Sequence, residues 1–120
     1  MGKNYLMSLT FNDYQRQAQL TAIYPEAGTK SIFALMYTAL GLSEAGEVQG
    51  KIKKLIRDKN AVITPTDAKE IAKEIGDILW YCAMLSRELG VLFEEIAEEN
   101  LQKLSSRKAR GAIKGDGDNR

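Results

Sequence analysis

Histidine is missing from this chain altogether. Its absence excludes histidine-bound zinc, serine or cysteine triads with an imidazole base, and the Glu-x-x-His bundles that hold di-iron. A metal here has to be held mainly by oxygen, which points to Mg²⁺ or Mn²⁺. The single cysteine, Cys82, excludes an internal disulfide and fits a reducing compartment. Only two prolines occur, and apolar–polar alternation is scarce, so little is left from which to build strands. No apolar run approaches the roughly 18 residues that cross a bilayer. Met1-Gly2-Lys3-Asn4 opens without the hydrophobic region of a signal peptide, so a cytoplasmic protein with no membrane partner is expected. The net charge of +1 lacks the basic excess of a nucleic-acid binder. At 120 residues, with no internal repeat, the chain has the length of a single all-α domain.

What is present is acid at helical spacing. Glu44-Ala45-Gly46-Glu47 and Glu74-Ile75-Gly76-Asp77 each place two carboxylates three residues apart, on one face of a helix. Two such helices side by side form an oxygen-rich cage for a hard divalent cation. Four carboxylates in a small volume would otherwise repel one another until some took up protons.

The helices around these pairs announce their ends. Thr10 caps a first helix with Asp13 in the third position, running through Phe11, Tyr14, Ala18, Leu20 and Ile23 to the break at Tyr24-Pro25. Residues 1–8 read as a loose start. Ser31 caps a second helix expected to run unbroken from about Ile32 to Arg57. On its wheel Phe33, Tyr37, Leu40, Val48, Ile52 and Leu55 form the apolar stripe, with Glu44 inside it and Glu47 about 60° away. A carboxylate in a buried stripe is costly unless it is ion-paired or ligates a metal. Thr64-Pro65-Thr66-Asp67 starts a third helix ending near Leu89 before Gly90, with Ile71, Ile75, Ile78, Cys82, Leu85 and Leu89 inward and Tyr81 beside the acids. Trp80 points away from the acids on this wheel and reads as a packing or interface residue. A fourth helix starts near Val91, acidic first and basic last, as its dipole favours. The glycine-rich tail, residues 111–120, is either loose or folds over a ligand.

Cations flank the acids. Lys51 lies one turn beyond Glu47 on nearly the same azimuth, with Lys54 close by; both also suit a helix C-terminus. Lys103 and Arg107 add positive charge further on. A carboxylate-held cation beside lysine and arginine suits metal-dependent hydrolysis of a phosphoanhydride.

The run Gly41-Leu42-Ser43-Glu44-Ala45-Gly46-Glu47-Val48 resembles the MazG-like nucleoside triphosphate pyrophosphohydrolases, as do Lys51-Ile52-Lys53-Lys54 and Ile56-Arg57-Asp58. So do Glu74-Ile75-Gly76-Asp77-Ile78-Leu79-Trp80-Tyr81 and Asn100-Leu101-Gln102-Lys103-Leu104 with Arg107, so that the resemblance covers nearly the whole chain. It implies an all-α, usually dimeric or tetrameric enzyme that uses Mg²⁺ to cleave a (d)NTP to (d)NMP and pyrophosphate. It further implies Glu44, Glu47, Glu74 and Asp77 as catalytic metal ligands. Lys51, Lys54, Asn100, Lys103 and Arg107 would touch phosphates, and Tyr81 the sugar or base. Ser43 departs from the pattern, since many relatives carry a second glutamate there. The tail from Lys114 also looks like the ending of small bacterial and phage members, in which it would order over substrate.

The expected architecture is a four- to five-helix bundle, residues 1–110, whose two long helices pack antiparallel and carry the metal site. Apolar residues such as Ile32, Met36 and Trp80 suggest a homodimer or homotetramer. The contrasting reading is a non-catalytic oligomerisation module whose acids pair with Lys51 and Lys54.

Overall fold

The computed structural model describes residues 8–119. Five α-helices form: α1 (Phe11–Ala18), α2 (Ile32–Gly41), α3 (Ala45–Asp58), α4 (Pro65–Glu88) and α5 (Phe93–Ala109), with no strand among the described residues. The fold is all-α, as expected. Residues 1–7 of the expected loose start lie outside the described part. None of the described helices is long and apolar enough to cross a membrane.

The helix starts obey local chemistry. At both Thr10 and Thr64 the hydroxyl accepts from the N–H of an aspartate three residues on, and that aspartate's carboxylate accepts from the threonine N–H. Ser31 accepts from the Ala34 N–H, and Pro65 fills the first turn of α4, where no N–H is needed. Gly90, at φ +75°, ends α4 in the left-handed region, as the sequence predicts. The first helix is shorter than expected: after Ala18 the chain tightens into a 3₁₀ turn, Gln19–Thr21, leaving Leu20 and Ile23 exposed.

The expected single helix from Ile32 to Arg57 is two helices. A 3₁₀ turn, Leu42–Glu44, separates α2 from α3. Gly41 and Ser43 are weak helix formers on either side of Leu42. A 3₁₀ turn advances about 120° per residue instead of 100°, so three residues rotate α3 by about 60° relative to an unbroken wheel. Glu44 is therefore half-buried rather than within the core.

α4 is the central element, against which α1, α2, α3 and α5 pack. Gly41 meets Tyr81, Glu44 meets Asp77, Lys51 pairs with Glu74 and Lys59 with Asp67. One number rises as the other falls, so the α2–α3 arm runs antiparallel to α4. The core is Tyr24, Ala34, Ala83, Met84 and Phe93, flanked by Tyr14, Ala18, Trp80 and Cys82.

This core overturns the expected apolar stripes. α2 buries Ala34 and Thr38, while Phe33 and Leu40 stay 66% and 70% exposed. On α4 the buried residues include Ala83 and Met84, with Ile75 and Leu89 largely exposed. Small side chains let two helices approach closely, and the large ones flank the contact. Thr38 is admitted because its hydroxyl donates back to the carbonyls of Ala34 and Leu35.

One buried carboxylate organises the α1–α2 connection. Glu88, 2% exposed, accepts from the Tyr24 hydroxyl and from the N–H groups of Gly28 (2.8 Å) and Lys30 (2.9 Å). Burial alone would raise its pKa, but these donors and the Arg87 charge outweigh it and hold the carboxyl below the usual glutamate value. Tyr24, fixed in this way, stacks on Tyr37 and meets the edge of Trp80. Gln15 performs the same service for α5, its amide donating to the carbonyls of Ala83 and Val91 and accepting from the Phe93 N–H.

Candidate metal centre

The 3₁₀ turn delivers Glu44 opposite the middle of α4, where Glu74 and Asp77 stand one turn apart. One carboxylate oxygen from each of Glu44, Glu74 and Asp77 lies within 4.8 Å of the other two. Three hard oxygens at that separation, with no nitrogen or sulfur donor among them, match Mg²⁺ or Mn²⁺ chemistry. Glu47, the fourth expected ligand, is exposed on α3 and does not join this group.

A cavity of about 360 Å³ opens beside the acids, lined by Thr21, Glu44, Asp77, Trp80 and Tyr81. Tyr81 is held close by Gly41, where an added Cβ would lie 2.1 Å from the ring. Burial raises the Tyr81 pKa, and Tyr37, Glu44 and Asp77 raise it further, so its hydroxyl stays protonated as a donor. Trp80 faces this cavity too, although the wheel turns it away. Its indole N–H donates to the Thr21 hydroxyl at 2.9 Å and its ring meets Tyr81 edge-on. The 3₁₀ turn after α1, which puts Thr21 there, leaves no mark in helical periodicity.

The cations distribute unevenly. Lys51 reaches Glu74 at 3.9 Å, half-exposed, a pair whose intrinsic strength is small. Lys51 and Lys54 line a neighbouring cavity of about 360 Å³ with Asp58, Asp67 and Glu70. Asn100 and Lys103, on α5, line a different cavity with Ile96 and Glu99. Lys103 and Arg107 meet the tail: Asp118 pairs with them at 3.1 and 3.3 Å, and the Gly117 carbonyl accepts from Arg107. The structure thus gathers Glu44, Glu74, Asp77, Tyr81 and Lys51. Asn100, Lys103 and Arg107 do not line the cavity beside the acids. Three contributors went unseen in the sequence: Thr21 and Trp80 as cavity walls, and Glu88 as the anchor behind Tyr24.

The family model for the MazG nucleotide pyrophosphohydrolase domain matches residues 34–111, which include every candidate site residue named from the sequence. The chain is also similar to the Gene 37 protein of Mycobacterium phage L5, 49% identical over 109 residues that cover 89% of this chain and 96% of that protein. No solved structure matches. With an all-α fold, paired acids on facing helices and a match across most of its length, the chain belongs to the MazG nucleotide pyrophosphohydrolase domain family.

Proposed function

We propose that this protein is a Mg²⁺-dependent nucleoside triphosphate pyrophosphohydrolase, converting a (d)NTP to (d)NMP and pyrophosphate in nucleotide-pool control. The observation that carries the proposal is the convergence of Glu44, Glu74 and Asp77 from two antiparallel helices beside an aromatic-walled cavity. These three carboxylates would hold the ion, which when bound would supply positive charge to the phosphate oxygens. Tyr81 and Trp80 wall the sugar and base and keep bulk water from that side. Lys51, loosely held by Glu74, turns to the phosphates when substrate arrives, and Lys54 moves with it. Glu47, outside the ligand group, takes the proton from the water that attacks the α-phosphorus, and the α–β bridging bond breaks with pyrophosphate leaving.

Asn100, Lys103 and Arg107 serve the polyphosphate once Asp118 releases the two cations, which makes the tail a covering segment. Exposed Phe33, Met36, Leu40, Ile52 and Ile56 on the α2–α3 arm support a homodimer or homotetramer, and the lone cysteine supports a cytoplasmic setting. The Lys51–Glu74 pair is what a purely structural oligomerisation module would also contain.

A panel of ribo- and deoxyribonucleoside triphosphates, each with Mg²⁺, Mn²⁺ or EDTA, separates the readings. Pyrophosphate released only with metal is the expected outcome, abolished in Asp77→Asn with helicity retained. Intact triphosphate across the panel would leave the structural reading standing. Orthophosphate as the product would move the cleavage to another bond.

A further inference from the structure

A second cavity, of about 420 Å³, lies away from the acids, between α1, the C-terminal end of α4 and the turn into α5. Arg87 in its wall is ten residues beyond Asp77, roughly 15 Å along the same helix. Asn12, Gln15, Arg16, Gln19, Lys30 and Arg87 supply its polar lining, the Gln15 amide being engaged by Ala83, Val91 and Phe93, and none of the residues lining it is acidic.

The hydrogen bonding turns this lining into a surface of donors. The Asn12 side-chain oxygen accepts from the Glu94 N–H, and the Gln19 oxygen accepts from Arg87 at 3.3 Å. Each amide oxygen is thereby engaged within the protein, while its NH₂ donates to no group among the described residues. The acids nearest by are committed elsewhere. Asp13 caps α1 through Thr10 and pairs with Arg16, while Glu88 is sealed beneath by Tyr24, Gly28 and Lys30. Those better donors leave Arg87 at 3.5 Å from Glu88 and the Tyr24 hydroxyl, with Gln19 at 3.3 Å as its nearest acceptor, and its Nε is buried with no hydrogen-bond partner. The Lys30 side chain leans over Gly90, its ammonium in no ion pair among the described residues. An under-satisfied guanidinium, a neighbouring ammonium and amide donors match an oxyanion with several acceptor lone pairs. The volume, about 420 Å³, is that of a small-ligand site and also admits a free oxyanion.

We propose that this cavity is a second, metal-independent binding site for a phosphoryl group, carried either by free phosphate or by a nucleoside monophosphate. It stands independently of the function proposed for the acidic cluster.

The test is a ¹⁵N-detected NMR titration of the full chain in EDTA with sodium phosphate, matched against sodium chloride of equal ionic strength. Saturable shifts of the Arg87 Nε–H and of the Asn12 and Gln19 side-chain amides are expected with phosphate and not with chloride. The dissociation constant should rise about tenfold or more in Arg87→Gln, the worth of one charged hydrogen bond, and substantially in Lys30→Gln. Asp77→Asn should leave it unchanged. Repeating the titration with a nucleoside monophosphate identifies the source: tighter binding names the nucleotide, equal binding the free ion. Equal shifts with chloride would overturn the proposal, as would native affinity in Lys30→Gln and Arg87→Gln, or loss of binding in Asp77→Asn. Should Arg87→Gln fail to fold, the exposed Lys30→Gln decides alone.

Discussion

Replacing Glu88 by glutamine keeps the shape of the side chain and removes its charge, and the consequences can be worked out bond by bond. The carboxylate receives three hydrogen bonds, two on Oε2 from Tyr24 and Gly28 and one on Oε1 from Lys30. Glutamine has one oxygen, so at least one N–H is left facing an NH₂ group in a site 2% exposed. A buried donor without a partner costs about 1–3 kcal/mol, and the surviving bonds lose their charge-assisted share, roughly another 1 kcal/mol. The total is roughly 3 kcal/mol, which for a domain of this size lowers the melting temperature by about 10 °C. Calorimetry at matched protein concentrations measures it. The pH dependence adds a signature. Because the native pKa of Glu88 is lowered, its contribution is complete above the unfolded glutamate value and is lost as pH falls through the native one. Wild type and Glu88→Gln should therefore converge as the solution is acidified below the ordinary glutamate range. A variant melting within about 2 °C of wild type at pH 7 would refute the reasoning, and so would a gap that does not narrow with acid.

Three further outcomes are expected. Tyr24 is pushed up to about 12, first by burial and then by Glu88, so its neutral form stabilises the fold fully below pH 10 and is lost as pH rises toward 12. Alkaline melts should show Tyr24→Phe lacking a loss of about 2–3 kcal/mol that wild type suffers in that window; identical alkaline slopes would remove the assignment. Gly41→Ala improves helix propensity yet should destabilise by about 1–3 kcal/mol, because its Cβ would lie 2.1 Å from the Tyr81 ring; a stabilised variant would mean that the ring moves freely. Thr64→Ala should cost about 1 kcal/mol by removing the α4 capping box, measurable by denaturant midpoint at constant slope.

Helix caps were the most legible part of the sequence because they are local, whereas the end of α1 and the break between α2 and α3 were not. Thr10 with Asp13, Ser31, Thr64-Pro65-Asp67 and Gly90 each act within a turn of themselves, and all stand where the sequence places them. Burial was not legible in the same way. Wheels weight large apolar residues, whereas the α2–α4 contact is made by Ala34, Thr38 and Ala83, and Phe33 and Leu40 remain outside. The acids were legible as pairs, yet the 3₁₀ turn at Leu42–Glu44 brings Glu44 toward Glu74 and Asp77 and leaves Glu47 apart. Gly41 and Ser43 were the available hint of that turn. Glu88 carried no hint, because its partners lie 58 to 64 residues away in the chain.

The close seam between α2 and α4 has a mechanical consequence. Ala34 and Thr38 set the spacing of two helices that then run on, as α3 and α4, to the carboxylates one to two turns further along. The seam behaves as a fulcrum, and the gap between Glu44 and Asp77 is the far end of the lever. A single added methyl group at Ala34 would be felt at the cation cage as an angle rather than as a lost contact. The spacing of the three carboxylates is thus written partly in two small side chains that never touch them.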